Sequence, residues 1–157
     1  MRERYLERRK ALLPRERLRR EADKLLNSFL KDIQHLNPRC VIVFGSYVRG
    51  DFTESSDIDV CVIAQNLPED ELSRRTLAGL NRTPKIRAIG FYPEEFLRYL
   101  ENQRFLAYDI VSEGKPVFDD GFYATLKTTY DKCVKEYGLT RDEAGWRVAV
   151  NGGPKVE

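Results

Sequence analysis

VIVFGSYVRGDFTESSDIDV, residues 41–60, is the stretch that decides the fold. VIVF is a short β-branched apolar run closed by Gly45-Ser46, the pattern of a buried strand. A second apolar run, VCVIA, begins at Val60 with Asp57 and Asp59 at its entrance. Residues i and i+2 of a strand share a face. Asp57 and Asp59 are therefore expected side by side, with Ile58 and Val60 turned to the core. Adjacent carboxylates repel in a low-dielectric site, and Mg²⁺ is commonly held by one or two carboxylates plus phosphate oxygens. Gly45 permits a tight turn and close approach of backbone to a ligand. Ser46 offers a hydroxyl and a backbone N–H to a phosphate oxygen. Arg49 can grip phosphate in a forked geometry, and Gly50 lets the chain turn back.

Gly45-Ser46, Arg49-Gly50 and Ser56-Asp57-Ile58-Asp59-Val60 resemble the signature of the DNA polymerase β-type nucleotidyltransferase superfamily, and within it the minimal nucleotidyltransferase branch. D-x-D alone is weak and G-S weaker; their joint occurrence between two apolar strands, with Arg-Gly between, carries the resemblance. The resemblance implies an α/β fold that binds a nucleoside triphosphate through Mg²⁺ and transfers the nucleotidyl group to a hydroxyl. It implies Asp57 and Asp59 as catalytic metal ligands, and Gly45, Ser46 and Arg49 as phosphate-binding residues. Minimal nucleotidyltransferases often pair with a small helical protein, and some modify that partner with AMP.

The sequence departs from the family on the third expected strand, KIRAIGFY (85–92). The family usually carries a third carboxylate there, which completes the metal site and helps deprotonate the acceptor. No Asp or Glu lies between Glu71 and Glu94, and Arg87 falls in the slot by position. Three readings follow: catalysis without that base, a carboxylate supplied by a partner or by Glu94 or Glu95, or nucleotide binding without transfer. Glu94 and Glu95 follow Pro93, so a helix N-terminus is their simpler role.

The bulk properties fit one domain of 157 residues with 41% hydrophobic and 33% charged residues, enough chain for a core. A net charge of +2 does not by itself argue for nucleic acid. Three cysteines without C-x-x-C read as buried small hydrophobes rather than a disulfide framework or zinc site. The N-terminus has no apolar leader core, no run approaches membrane-span length, and the expected location is the cytoplasm. There is no P-loop and no dinucleotide fingerprint. His35, the single histidine, does not make a zinc site or a triad and is expected at a helix end.

Residues 1–37 read as a basic helical extension, with nine Lys or Arg against three Glu in the first twenty residues. Leu18, Ala22, Leu25, Phe29 and Ile33 form one apolar face. Pro14 suits the first turn of that helix, leaving Met1–Leu13 as a separate short helix or arm. The arm reads as a solvated face with local Glu3/Glu7 and Arg8 pairs; a second subunit or nucleic acid are its other readings. Residues 38–157 read as the nucleotidyltransferase domain. Helices are expected over about 69–80, over 93–113 and over 122–137, with an extended piece at Val117-Phe118 and a turn or helix cap at Asp119-Asp120-Gly121. Asn151–Pro154 reads as a fraying tail. The expectation is a small mixed sheet with helices packed on it, acting as a Mg²⁺-dependent nucleotidyltransferase. The alternative is a catalytically weak nucleotide- or partner-binding module.

Overall fold

The computed structural model describes the backbone of residues 2–148 and the side chains of residues 14–148. Four strands, β1 (Pro38–Phe44), β2 (Ile58–Ala64), β3 (Ile86–Phe91) and β4 (Lys115–Asp119), form a mixed sheet in the order β3-β2-β1-β4. β1 runs antiparallel to β2 and β4, while β2 and β3 are parallel. The connection from β2 to β3 carries the short helix α3 (Glu71–Thr76).

The strict alternation of the strands gives the sheet two buried faces. Val41, Val43, Ile58, Val60 and Val62 turn to the helix α1 (Arg2–Asp32), meeting Ala22, Leu26, Phe29 and Ile33. Cys40, Ile42, Cys61 and Ile63 turn the other way, to α4 (Pro93–Glu101), α5 (Phe105–Glu113) and α6 (Phe122–Tyr137). All three cysteines are buried free thiols, and burial pushes the Cys40 thiol up to about 12. The sheet is thus a mixed α/β layer with helices on both sides, as the sequence implied.

Three expectations are corrected, and one element is added. Residues 2–32 form one helix that passes through Pro14, not an arm followed by a helix. Proline costs one backbone hydrogen bond there, but Leu, Arg, Glu, Ala and Lys dominate both flanks and favour helix strongly. The helix expected over 69–80 covers only Glu71–Thr76. Leu77 is buried in a left-handed conformation (φ 49) and ends it, while Asp70 caps its start by accepting from Ser73 N at 2.9 Å.

The helix expected over 93–113 is two helices. Gln103 (φ 57) breaks the path, and Arg104 N donates to Tyr99 O. The reversal lets Leu100 and Ile110 enter the same core. The buried Tyr108 hydroxyl donates to Leu100 O across the break. Finally, residues 139–148 form a hairpin, β5 (Leu139–Asp142) and β6 (Gly145–Val148), that the sequence reading left without assigned structure. The tail at Asn151–Pro154 and the side chains of Glu3, Glu7 and Arg8 lie outside the described residues.

Several smaller expectations hold. Val117-Phe118 belongs to β4. Asp119 accepts from Gly121 N and Tyr123 N, and Asp120 from Phe122 N, so the pair caps α6. His35 sits in a single 3-10 turn after α1 and offers its carbonyl to Asn66.

Candidate active site

β1 ends at Phe44, and Gly45-Ser46 turns the chain into α2 (Ser46–Arg49), a single helical turn. Gly45 adopts φ 77, ψ −151, a region essentially reserved for glycine. The turn brings its Cα against Asp59. A Cβ added at Gly45 would lie 3.3 Å from Asp59 Cγ and inside any allowed distance of Asp59 Oδ2. Asp59 stands opposite Phe44 in the β1–β2 ladder and opposite Arg87 in the β2–β3 ladder. One carboxylate is therefore wedged between the glycine turn and the third strand.

Its two oxygens divide the work. Oδ2 faces the Gly45-Ser46 turn, and Oδ1 accepts from Arg87 Nε at 2.7 Å. The Asp59 side chain is 16% exposed, Arg87 68%. The hydrogen bond and charge of Asp59, with a further contribution from Asp57, push the Arg87 guanidinium above the ordinary arginine value. Asp57 is exposed and precedes the strand by one residue. Its charge also reaches Arg87. Asp59 is thus set against the glycine turn with Arg87 across from it.

Arg49 lies at the end of α2, half-exposed. Its Nη1 is 3.4 Å from Glu113 Oε1, and its Nε is 3.7 Å from Asp51 Oδ1. Glu113 ends α5, just before β4, and also receives Arg141 Nη1 of β5 at 3.3 Å. Arg141 and Trp146 both reach Asp109, Trp146 Nε1 at 2.7 Å. Glu113 and the hairpin thus border the glycine turn. Sequence reading missed both, since Arg49 and Glu113 are 64 residues apart and no local pattern joins them.

α1 braces the turn from the other side. Tyr47 donates to Asp23, Arg19 lies over the Tyr47 ring, and Arg15 over Phe52. Burial and the bond to Asp23 push the Tyr47 phenol up to about 12. A cavity of ≈ 480 Å³ lies on this α1 side, lined by Asp23, Tyr47 and Val117 among others. Asp59 faces the opposite side of the sheet, so this cavity does not belong to the carboxylate site.

Glu94 and Glu95 are not part of the site. Glu95 is buried and held by Arg74 Nη2 at 2.7 Å and Arg75 Nη2 at 2.8 Å, and it accepts from Tyr92 N at 3.1 Å. Burial works to raise its pKa, but the bonds from Arg75, Arg74 and Tyr92 outweigh it and bring the carboxyl down to about 2. Both glutamates lie past the far end of β3 from Arg87, about 13 Å or more along the strand.

The donor set admits a cation only in part. Asp57 and Asp59 are carboxylates, the donor type that a hard cation shared with phosphate oxygens would take. Among the described residues no group of three or more His, Cys, Asp or Glu gathers, and the residue across from Asp59 on β3 is Arg87. No helix among the described residues is long and apolar enough to cross a membrane.

Residues 25–121 match the family described as Polymerase beta, Nucleotidyltransferase. The chain is similar to the candidate protein adenylyltransferase MJ0141 of Methanocaldococcus jannaschii, 30% identical over 122 residues, covering 76% of this chain and 97% of that one. A second candidate protein adenylyltransferase of that organism, MJ1305, is 39% identical over 59 residues, covering 33% of this chain and 40% of that one. Among solved structures, a toxin–antitoxin with AMP-PNP gives a TM-score of 0.48 at 20% identity, covering 70% of this chain and 90% of that one. A candidate nucleotidyltransferase from Sulfolobus solfataricus gives 0.43 at 19%, covering 70% and 87%.

Proposed function

Because the chain belongs to the polymerase beta nucleotidyltransferase family, we propose that it transfers a nucleoside monophosphate from a nucleoside triphosphate, ATP above all, to a hydroxyl acceptor on a protein. The observation that carries this reading is the wedge of Asp59 between Gly45 and Arg87. It brings a glycine turn and a guanidinium to either side of one carboxylate, each within about one strand spacing of it.

Gly45 and Ser46 hold the β- and γ-phosphates, and Arg49 moves from Glu113 to a phosphate oxygen when nucleotide enters. The exchange is inexpensive, because the Arg49–Glu113 pair is long and half-exposed and such pairs contribute little, while Glu113 keeps Arg141. Asp57 and Asp59 would hold Mg²⁺, which would supply charge stabilisation to the phosphates as pyrophosphate leaves. Arg87 keeps Asp59 oriented. The names of the Methanocaldococcus relatives support a protein as the acceptor, and the family's habit of pairing with a small helical protein supports a partner of that kind.

A second reading is favoured by one observation: the Arg87 guanidinium already neutralises a proposed metal ligand. On that reading the chain binds nucleotide or a partner without transferring.

The test is transfer of label from α-³²P-ATP with Mg²⁺ into an extract of the source cell, comparing wild type with the Asp57→Asn/Asp59→Asn double variant. Label in a protein band, reduced at least a hundredfold in the variant, is the expected result. A folded wild type that binds Mg²⁺-ATP and labels nothing favours the second reading. Labelling that survives the double variant overturns the assignment of Asp57 and Asp59.

A further inference from the structure

We infer that the acceptor is an acidic segment of protein: its hydroxyl is presented beside a carboxylate that pairs with Arg87 and takes the hydroxyl's proton. This rests on the nucleotidyl-transfer reading above and specifies its acceptor.

The argument starts from the order of groups across the sheet. Gly45 at the end of β1, Asp59 on β2 and Arg87 on β3 follow one another on neighbouring strands, spanning about 10 Å. Phosphoryl-type transfer places the attacking and leaving oxygens in line. Pyrophosphate held at Gly45-Ser46 therefore leaves on the β1 side, and the acceptor approaches from the β3 side. On that side the chain presents Arg87, 68% exposed. Among the described residues its side chain makes one hydrogen bond, from Nε to Asp59, so both η nitrogens are open to a second carboxylate. Lys85, just before the strand, adds a second exposed cation, with its Nζ donating to Glu54 O.

β3 itself offers no base. Ile86–Phe91 contains no acidic residue or histidine. Glu95, past the far end of that strand, is locked between Arg74 and Arg75. Among the described residues the chain thus brings cations to the acceptor's side, and the one carboxylate besides Asp59 whose charge reaches Arg87 is Asp57, a proposed metal ligand and so not free to take the acceptor's proton. A carboxylate carried by the acceptor satisfies both conditions. It forms a charge-assisted pair with the open edge of Arg87 and stands beside the hydroxyl it must deprotonate. The step balances. The acceptor oxygen bonds to the α-phosphorus. The bond from that phosphorus to the bridging oxygen breaks, its electron pair leaving with pyrophosphate. The hydroxyl proton passes to the acceptor's carboxylate.

The experiment uses the full chain and two fluorescent peptides, each carrying Ser, Thr and Tyr. One has Glu flanking every hydroxyl residue, the other Gln. Anisotropy gives the affinity for each peptide with an unreactive ATP analogue present, and α-³²P-ATP gives transfer to each. Mg²⁺-ATP binding is measured on the same samples. The expected result is a preference of about tenfold for the Glu peptide in both readouts, falling as salt is added. Arg87→Ala abolishes the ratio, Arg87→Lys keeps part of it, and Arg87→Glu reverses it toward the Gln peptide. Arg87 is exposed, so these variants fold, and using a ratio removes any general loss of activity. A chain that binds ATP yet treats the two peptides alike, or whose preference survives Arg87→Ala, overturns this inference and leaves the nucleotide reading standing. A chain that binds no Mg²⁺-ATP overturns both.

Discussion

Gly45→Ala tests the wedge at the centre of the site, and its cost can be worked out in parts. Gly45 holds φ 77, ψ −151, which an alanine occupies at a cost of about 1–3 kcal/mol. The added methyl also lands on Asp59 Oδ2 and 3.3 Å from Cγ. Backbone holds one partner and a β-strand the other, so the carboxylate must rotate away. Rotation breaks the bond to Arg87, an exposed pair worth about 0.5 kcal/mol. The total, about 2–4 kcal/mol, is less than the 5–15 kcal/mol typical of a domain, so the variant folds with its midpoint lowered by about 5–15 °C. Mg²⁺-ATP binding falls at least tenfold, because Asp59 no longer faces the turn. Gly50→Ala is the control: Gly50 has φ 87, and an added Cβ there meets nothing within 4 Å. It carries conformational cost alone, about 1–2 kcal/mol, and leaves Asp59 in place. Thermal melts and isothermal titration with Mg²⁺-ATP on both variants decide the matter. Wild-type melting and affinity in Gly45→Ala would refute the close approach, and equal loss of binding in Gly50→Ala would refute its link to the site.

Three further outcomes follow from the ion pairs. Glu95→Gln leaves Arg74 and Arg75 without their carboxylate and should cost about 3–5 kcal/mol in urea denaturation, with nucleotide binding retained at temperatures where the variant is folded. The folded Glu95 carboxyl titrates at about 2, below its ordinary 4.5. Its contribution, of order 2–3 kcal/mol, is therefore complete above about pH 4.5 and is lost as pH falls toward 2; a wild-type urea midpoint that is flat over that range, measured against Glu95→Gln, would count against it. Arg49→Ala should lower Mg²⁺-ATP affinity about tenfold, as expected for one charge-assisted bond to phosphate. Stability should change by less than about 1 kcal/mol, since Glu113 retains Arg141; a large melting shift without a binding loss would make Arg49 a structural residue only.

Much of the site was legible because its parts are local. Gly45-Ser46 and Asp59 sit at the ends of two short apolar strands joined by thirteen residues, so strand pairing brings the Asp59 carboxylate against the turn. The register Asp59↔Arg87 followed the same logic across a helix-linked crossover. Helix limits were less legible. Leu77 and Gln103 take left-handed conformations that no glycine or asparagine announces, because burying Leu77 and folding α5 back on α4 outweigh the local cost. Pro14 misled in the other direction, since strong helix formers on both sides carry the helix through it.

The amino-acid sequence by itself determined the strands, the glycine turn and the placing of Asp59 at a strand entrance, all of which depend on periods of two and on residue type. Only the tertiary structure decided what surrounds them. It removed Glu95 from the site by burying it between two arginines, gathered Arg49 and Arg141 on Glu113, and set α1 against Tyr47 and Phe52. These contacts join residues between 20 and 64 positions apart, and their partners are chosen by packing of whole elements, which no local pattern encodes.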